Sequence, residues 1–196
     1  MRKNAISAII LAAGYSSRMG VSKALLRYDN KNSFVKKALQ VYTDFGCKEV
    51  VIVVNSELSN EPSITSLLSK NIKLVTNPYP DKGRFFSLKC GCKNLDFEND
   101  IFVHNVDNPF VEKNLLNELL ANQGEYDYLY PSYKGKGGHP ILLSQKVVMA
   151  ITGENNFNQN LKLFLKNFPN SRIEVDNPNV TANINTKEDY NNYFKI

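Results

Sequence analysis

The stretch AISAIILAAGYSSRMGVSK, residues 5–23, decides the fold. Ala5 to Ala13 make a continuous apolar run of strand length that breaks at Gly14, the pattern of a strand buried on both faces. Such a strand belongs in the middle of a sheet. The segment behind it carries two glycines, several hydroxyls, an arginine and a lysine, more flexible and cationic groups than a compact turn needs.

Outward from this strand the pattern repeats. Ser33 to Phe45 puts Phe34, Val35, Ala38, Leu39 and Tyr42 at helical spacing with Ser33 as N-cap, and CKEVVIVVN, residues 47–55, reads as a second buried strand. A short helix over 64–69, a strand IKLVT at 72–76, a helix over 84–95 and a strand DIFVHNVD at 100–107 continue the alternation. A helix after Pro109 and a strand YDYLYPS at 126–132 follow. Strands separated by helix-length segments predict an α/β fold with a Rossmann-like, doubly wound, mostly parallel sheet, because right-handed crossovers put helices on both faces. After Tyr133 the rhythm changes. KGKGGHPILLS (134–144) reads as a glycine-rich loop feeding a short strand, and SRIEV (171–175) and VTANI (180–184) precede a final helix from Thr186. This small β-containing section is expected to fold beside the sheet.

The chain has 196 residues, enough for one domain over residues 1–196 that buries roughly 70% of its unfolded surface. Hydrophobic residues at 42% and charged residues at 22% match ordinary globular proteins and exclude disordered or collagen-like classes. The net charge of +5 comes from scattered lysines without a run of like charge, so it suits an acidic small ligand such as a nucleotide and gives nucleic acid no specific support. Three cysteines, Cys47, Cys90 and Cys92, are too few for a disulfide framework and fit a reducing cytosol. No apolar stretch approaches 18 residues and no signal-peptide pattern opens the chain, so a cytoplasmic protein without a membrane partner is expected.

A glycine-containing loop after a buried parallel strand lies at the carboxyl end of the sheet, where open α/β folds bind ligands. Gly14 and Gly20 permit backbone N–H groups to face a phosphate, and Arg18 and Lys23 bring permanent charge. The spacing matches neither G-x-x-x-x-G-K-[ST] nor G-x-G-x-x-G, and a plain loop with surface cations stands as the alternative. Asp107, ending a buried strand before Asn108-Pro109, is placed either as an oxygen ligand for Mg²⁺ or as a turn residue. His104, inside an apolar strand, reads as structural. Cys90 and Cys92 point about 200° apart on a helix and cannot share an ion there, so packing accounts for them. Tyr126, Tyr128, Tyr130 and Tyr133 read as strand faces rather than a base-stacking platform.

LAAGYSSRMGVSK, residues 11–23, resembles the signature L-A-[AG]-G-x-S-x-R-M-G-x-x-K of the MobA-like nucleotidyltransferases, which include the molybdenum cofactor guanylyl- and cytidylyltransferases. NPYPDKGRFFSL, VDNPFV, GGHPILL and NINTKEDY are similar, in order, to that family's later blocks, so the resemblance runs from about Ile6 to Tyr190. It implies the nucleotide-diphospho-sugar transferase type of sheet and transfer of a nucleoside monophosphate from an NTP to a phosphorylated acceptor, with release of pyrophosphate.

Residue by residue, the resemblance implies that Arg18 holds the β- and γ-phosphates and that Lys23 lies nearer the α-phosphate. The backbone from Leu11 and Ala12 through Ala13, Gly14 and Ser16 to Ser17 would wrap the nucleotide, with Ala13 near the base. Asn77, Gly83 and Ser87 would face base and ribose. Asp107 and either Asn183 or Asn185 would hold Mg²⁺, while Glu188 and Asp189 cap the last helix. His139 would bind the acceptor, donate to a phosphate or orient its loop. L-A-A-G together with G-G-H-P looks like the cytidylyl branch, implying CTP and molybdopterin, with a molybdenum hydroxylase or its chaperone receiving the product. That branch usually carries G-D-x-G-x-R where this chain has GENNFNQNLKLF from Gly153, which leaves open another acceptor such as a sugar phosphate, polyol phosphate or phosphocholine. The family's usual Asp-Gln-Pro reads Asp-Asn-Pro here. A catalytically silent nucleotide-binding regulator and a sugar-nucleotide glycosyltransferase are the readings from other classes.

Overall fold

The computed structural model describes residues 5–95 and 99–194. In chain order these form β1 (Ile6–Ala12), α1 (Phe34–Phe45), β2 (Val50–Val54), α2 (Pro62–Thr65), β3 (Ile72–Thr76), α3 (Gly83–Cys92), β4 (Asp100–Asn105) and α4 (Lys113–Ala121). They continue with β5 (Tyr128–Tyr133), β6 (Lys136–Gly137), β7 (Ile141–Leu143), α5 (Gln145–Gly153), α6 (Leu161–Leu165), β8 (Asn170–Glu174) and α7 (Lys187–Tyr193). The strands make one mixed sheet in the order β3-β2-β1-β4-β7-β5-β6, with β8 on β5. The first four strands are parallel, and β1 lies between β2 and β4 as its apolar run requires.

The two faces of β1 explain the double winding. Ala8, Ile10 and Ala12 share a core with Phe34, Val35 and Leu39 of α1 and Leu116 and Leu119 of α4. Ile9, Leu11 and Ala13 share another with Phe85 and Leu88 of α3, Val147 and Ile151 of α5 and Phe164 of α6. Alternate residues of a strand face opposite sides, so a strand apolar on both registers must be covered twice. Helix α3 approaches closely because Gly91 has no side chain: a Cβ there would lie 2.8 Å from Ile9 Cγ2. Cys92 packs in this core, as its place on α3 predicts.

The section after Tyr133 does not fold beside the sheet. β7 is inserted between β4 and β5, antiparallel to both, and β8 runs parallel to β5. Ile141, Leu142 and Leu143 are all buried, and three consecutive apolar residues are covered most completely inside the sheet, where strands pair on either side. Val180 and Thr181, which open the expected strand VTANI, end a 3₁₀ turn over Pro178–Thr181 instead, set up by Asn177, whose side chain accepts from Asn179 N, and Pro178. Helix α2 starts at Pro62, earlier than expected, because the Glu61 side chain accepts from Ser63 N and caps it there.

β6 and β7 are two pieces of one path along β5. Gly137 lies opposite Ser132 and Leu142 opposite Leu129, so five steps on one side match three on the other. The surplus is a bulge at Gly138, His139 and the cis-Pro140, and bulges re-aim side chains next to sites. Gly138 is pressed against the Val180 carbonyl, where a Cβ would overlap the oxygen. That carbonyl also accepts from His139 N at 2.9 Å. Gly138→Ala is therefore expected to cost about 2–3 kcal/mol by overpacking a backbone that cannot yield, read as a lower urea midpoint with unchanged slope. An unchanged midpoint would contradict this packing.

Among the described residues no helix is long and apolar enough to cross a membrane.

Candidate functional site

Two cavities adjoin at Arg84 and His139, and the smaller opens at the carboxyl ends of β1 and β4. The smaller, about 500 Å³, is bounded by the loop after β1, by Asn105 to Asp107 after β4, by Arg84 and Ser87 of α3, and by His139, Asn183 and Asn185. It therefore sits where the crossover directions diverge, as ligand sites of open α/β sheets do.

The loop after β1 is tied down at selected points. Ser16 adopts φ 54°, its hydroxyl accepts from Lys23 N at 3.1 Å, and its carbonyl accepts from Met19 N at 2.8 Å. Met19 is buried and Gly20 takes φ 73°, turning the chain back. Leu11, Ala12, Ala13, Gly14, Ser16 and Lys23 line the smaller cavity. Ser17 and Arg18 are exposed on the loop and do not line it.

Lys23 crosses the cavity. Its Nζ is 2.6 Å from Asn185 Oδ1 and 3.4 Å from Asp107 Oδ2. The second carboxylate oxygen, Asp107 Oδ1, is buried without a hydrogen-bond partner. An orphaned carboxylate oxygen beside an amide oxygen is a hard donor pair, which fits a divalent cation that takes its remaining ligands from a nucleotide and water. Among the described residues no group of three or more His, Cys, Asp or Glu is placed to hold a metal ion by itself. Asn183 lines the cavity too, but is exposed and donates to Thr181 O at 3.2 Å.

The Asn183–Asn185 segment is fastened from two sides. Ile184 N donates to Asp107 O at 2.7 Å. Asn108, buried, holds its amide nitrogen 3.0 Å from the Asn179 and Val180 carbonyls and 2.5 Å from that of Ala182. On the other side a capping box starts α7: Asp189 accepts from Asn185 N and Thr186 N, and Thr186 Oγ1 accepts from Asp189 N. Asp189 thus caps the helix as expected. Phe194 then packs on Phe34 and stacks on Phe110 at 5.6 Å, docking the helix.

Asn77 does not reach either cavity. It is fully buried, donates to Ser87 Oγ at 2.9 Å and accepts from Tyr79 N at 2.8 Å, so it holds Ser87 in the wall of the smaller cavity. Gly83 lines the larger cavity instead, with φ 79° at the start of α3. His139 borders both cavities, and its Nε2 is 2.8 Å from Asn105 Nδ2. Burial first, and then the nearby Arg84 charge, push its pKa down to about 4, so the imidazole is neutral at physiological pH. The bidentate potential of Arg84 and the wall made by Asn105 and Val106 were not foreseen from the sequence. The one available signal for Arg84 is its place behind a positive-φ glycine at a strand-to-helix loop.

His104 is structural, as expected. It is fully buried, its Nδ1 is 3.3 Å from Tyr42 Oη, and desolvation pushes its pKa down to about 3. A histidine whose folded pKa lies below its unfolded value of about 6.5 contributes stability that is complete above that value and is lost as pH falls toward the folded one. Between pH 6.5 and 4.5 the urea-unfolding free energy of His104→Gln should fall less steeply than that of the parent, by about 1.4 kcal/mol per pH unit at most. Parallel slopes would show that this imidazole does not enter the linkage.

Comparison with known proteins agrees with this geometry. Residues 8–170 match the family model of the MobA-like NTP transferase domain. The chain is similar to the molybdenum cofactor cytidylyltransferase of Escherichia coli (strain K12), 28% identical over 95% of this chain and 94% of that protein. It is also similar to a probable molybdenum cofactor guanylyltransferase of Clostridium perfringens (strain SM101 / Type A), 27% identical over 97% and 90%. Its fold matches the crystal structure of Rv0371c from Mycobacterium tuberculosis H37Rv with a TM-score of 0.80 at 21% identity, covering 98% of this chain and 99% of that one. Rv0371c has also been solved in complex with manganese. The chain belongs to the MobA-like NTP transferase family and is a nucleotidyltransferase.

Proposed function

We propose that the chain, as one domain over residues 1–196, transfers CMP from CTP to the phosphate of molybdopterin and releases pyrophosphate. The observation that carries this reading is the convergence of Lys23, Asp107 and Asn185 in a cavity that adjoins a second one across Arg84 and His139. One cavity accommodates the nucleotide, the other its phosphorylated partner.

The reaction forms a bond between an acceptor phosphate oxygen and the α-phosphorus. It breaks the bond from the α-phosphorus to the oxygen bridging to the β-phosphate, and the electron pair leaves on pyrophosphate. Both reactants are anions, so the protein's work is alignment and charge neutralisation. Lys23 places a compact positive charge at the α-phosphate and the incoming oxygen. Arg18, on the exposed part of the loop, reaches the β- and γ-phosphates with its planar fork and stabilises the leaving group. The backbone from Leu11 to Ser17 wraps the nucleotide. Ser87, held by Asn77, faces base and ribose, while the turn at Gly83 lines the cavity of the acceptor. Neutral His139 borders the acceptor and orients through Asn105.

Mg²⁺, when bound, would supply charge between the phosphates. Asp107 Oδ1 would hold it together with Asn185, whose amide oxygen already shares Lys23 with that carboxylate, in preference to the exposed Asn183. Base choice is assigned to Ala13, which lines the cavity at the end of β1 and is the position where the cytidylyl-type L-A-A-G differs from L-A-G-G. The product would pass in the cytoplasm to a molybdenum hydroxylase or its chaperone.

The test is pyrophosphate release with Mg²⁺ and each of CTP, GTP, ATP and UTP, with and without molybdopterin. Release with CTP that requires molybdopterin is the expected result. Release with GTP instead would overturn the base, and release only with another phosphorylated acceptor would overturn molybdopterin.

A further inference from the structure

The larger cavity, about 930 Å³, carries a charge pattern that the nucleotide does not use. Its wall includes Lys82, Arg84, Lys136, Lys162 and Lys166 and, among the described residues, no aspartate or glutamate. Lys82 is already engaged: its Nζ lies over the rings of Tyr79, Phe86 and Phe157 at 4.7, 5.1 and 5.1 Å. This contact fastens residues 154–160 to the start of α3, together with a hydrogen bond from Lys89 Nζ to the Glu154 carbonyl. The other four cations have no hydrogen bond or ion pair with a described residue. Tyr128 and Tyr130 stack on one another at 5.1 Å along the same wall.

Among the described residues only Arg84 and His139 border both cavities. In the transfer reaction the attacking phosphate must stand where the two meet, within bonding reach of the α-phosphorus. Of the two residues that border both cavities His139 is neutral, so Arg84, whose planar fork suits a phosphomonoester, is the one that brings charge to this phosphate from the acceptor side, opposite the Lys23 ammonium. We infer that Arg84 grips the acceptor's phosphate, and that the larger cavity selects an acceptor whose body is anionic or rich in hydrogen-bond acceptors and excludes one with a cationic body. A body carrying its own positive charge, such as the trimethylammonium of phosphocholine, would meet a wall of like charge with no carboxylate among the described residues to receive it. The inference rests on the transferase reading above for the existence of a phosphorylated acceptor, and it narrows which acceptor fits.

The experiment compares the parent protein with Arg84→Ala and Arg84→Lys, an exposed position where folding is not at stake. Two probes are used in the presence of Mg²⁺. Molybdopterin is followed by pyrophosphate release with CTP, and inorganic phosphate by calorimetry with a non-hydrolysable CTP analogue bound. Arg84→Ala is expected to raise the molybdopterin KM at least tenfold and weaken phosphate binding at least tenfold. The affinity for the CTP analogue should stay within threefold, Arg84→Lys should recover part of the loss, and phosphocholine should not be turned over. Unchanged KM and phosphate affinity in Arg84→Ala, a loss of CTP-analogue affinity instead, or turnover of phosphocholine would overturn the inference. If the parent releases no pyrophosphate with molybdopterin yet loses phosphate affinity through Arg84→Ala, the acceptor assignment above falls while the role of Arg84 stands.

Discussion

Asp107→Asn is expected to lower the rate of pyrophosphate release by about three orders of magnitude, the scale on which removing one preorganised electrostatic group acts. The substitution keeps the size and planarity of the side chain. The Asp107 main-chain carbonyl still accepts from Ile184 N, so the Asn183–Asn185 segment stays in place. What changes is the charge: Oδ1 is buried without a partner and Oδ2 faces the Lys23 ammonium. An amide in this position offers a weaker oxygen to a cation, and its NH₂ group, if turned inward, faces Lys23 with like polarity. The Mg²⁺ concentration for half-maximal rate should rise in parallel, and the melting temperature should stay within a few degrees. Steady-state assays across a Mg²⁺ titration check this. A variant retaining more than a tenth of the parent rate would remove Asp107 from the chemistry.

Lys23→Met should cost about 10²–10³ in turnover while CTP affinity falls less than tenfold, because a charge at the reacting phosphorus matters more as the transition state forms than in the ground state. Methionine matches the length and apolar stem of lysine, so Lys23 N can still donate to Ser16 Oγ and the loop keeps its shape. Lys23→Arg should restore little. The ammonium is within 3.4 Å of two side-chain oxygens on different segments, and a wider planar fork cannot occupy the same point. Single-turnover rates and calorimetric CTP binding separate the two effects. A fall in CTP affinity with the saturating single-turnover rate unchanged would assign Lys23 to uniform nucleotide binding instead.

Much of this molecule was legible along the chain. The run from Ile6 to Ala12 is apolar on both registers, so it could only be a central strand, and each later strand that alternates with a helix-length segment extends the same sheet. Lys23 and Asp107 were legible because both follow buried strands at the edge where parallel sheets leave their loops. The three-residue strand Ile141–Leu143 was placed beside the sheet, because so short a run does not show which strands flank it. Only its complete burial between β4 and β5 reveals the antiparallel insertion. The resemblance turns Asn77 toward the ligand, yet it is fully buried outside both cavities, with its amide bonded to Ser87 Oγ and Tyr79 N.

The sequence by itself determined the class of fold and the position of the loop after β1 with its glycines, arginine and lysine, since apolar periodicity and the spacing of glycine, arginine and lysine are local properties. Tertiary structure alone decided that Asn185 rather than Asn183 joins Lys23 and Asp107, that a bulge at Gly138 turns His139 toward Asn105, and that Arg84 stands between two cavities. Each depends on segments distant in the chain meeting under packing and hydrogen-bond constraints, and no pattern within one segment records which partner it meets.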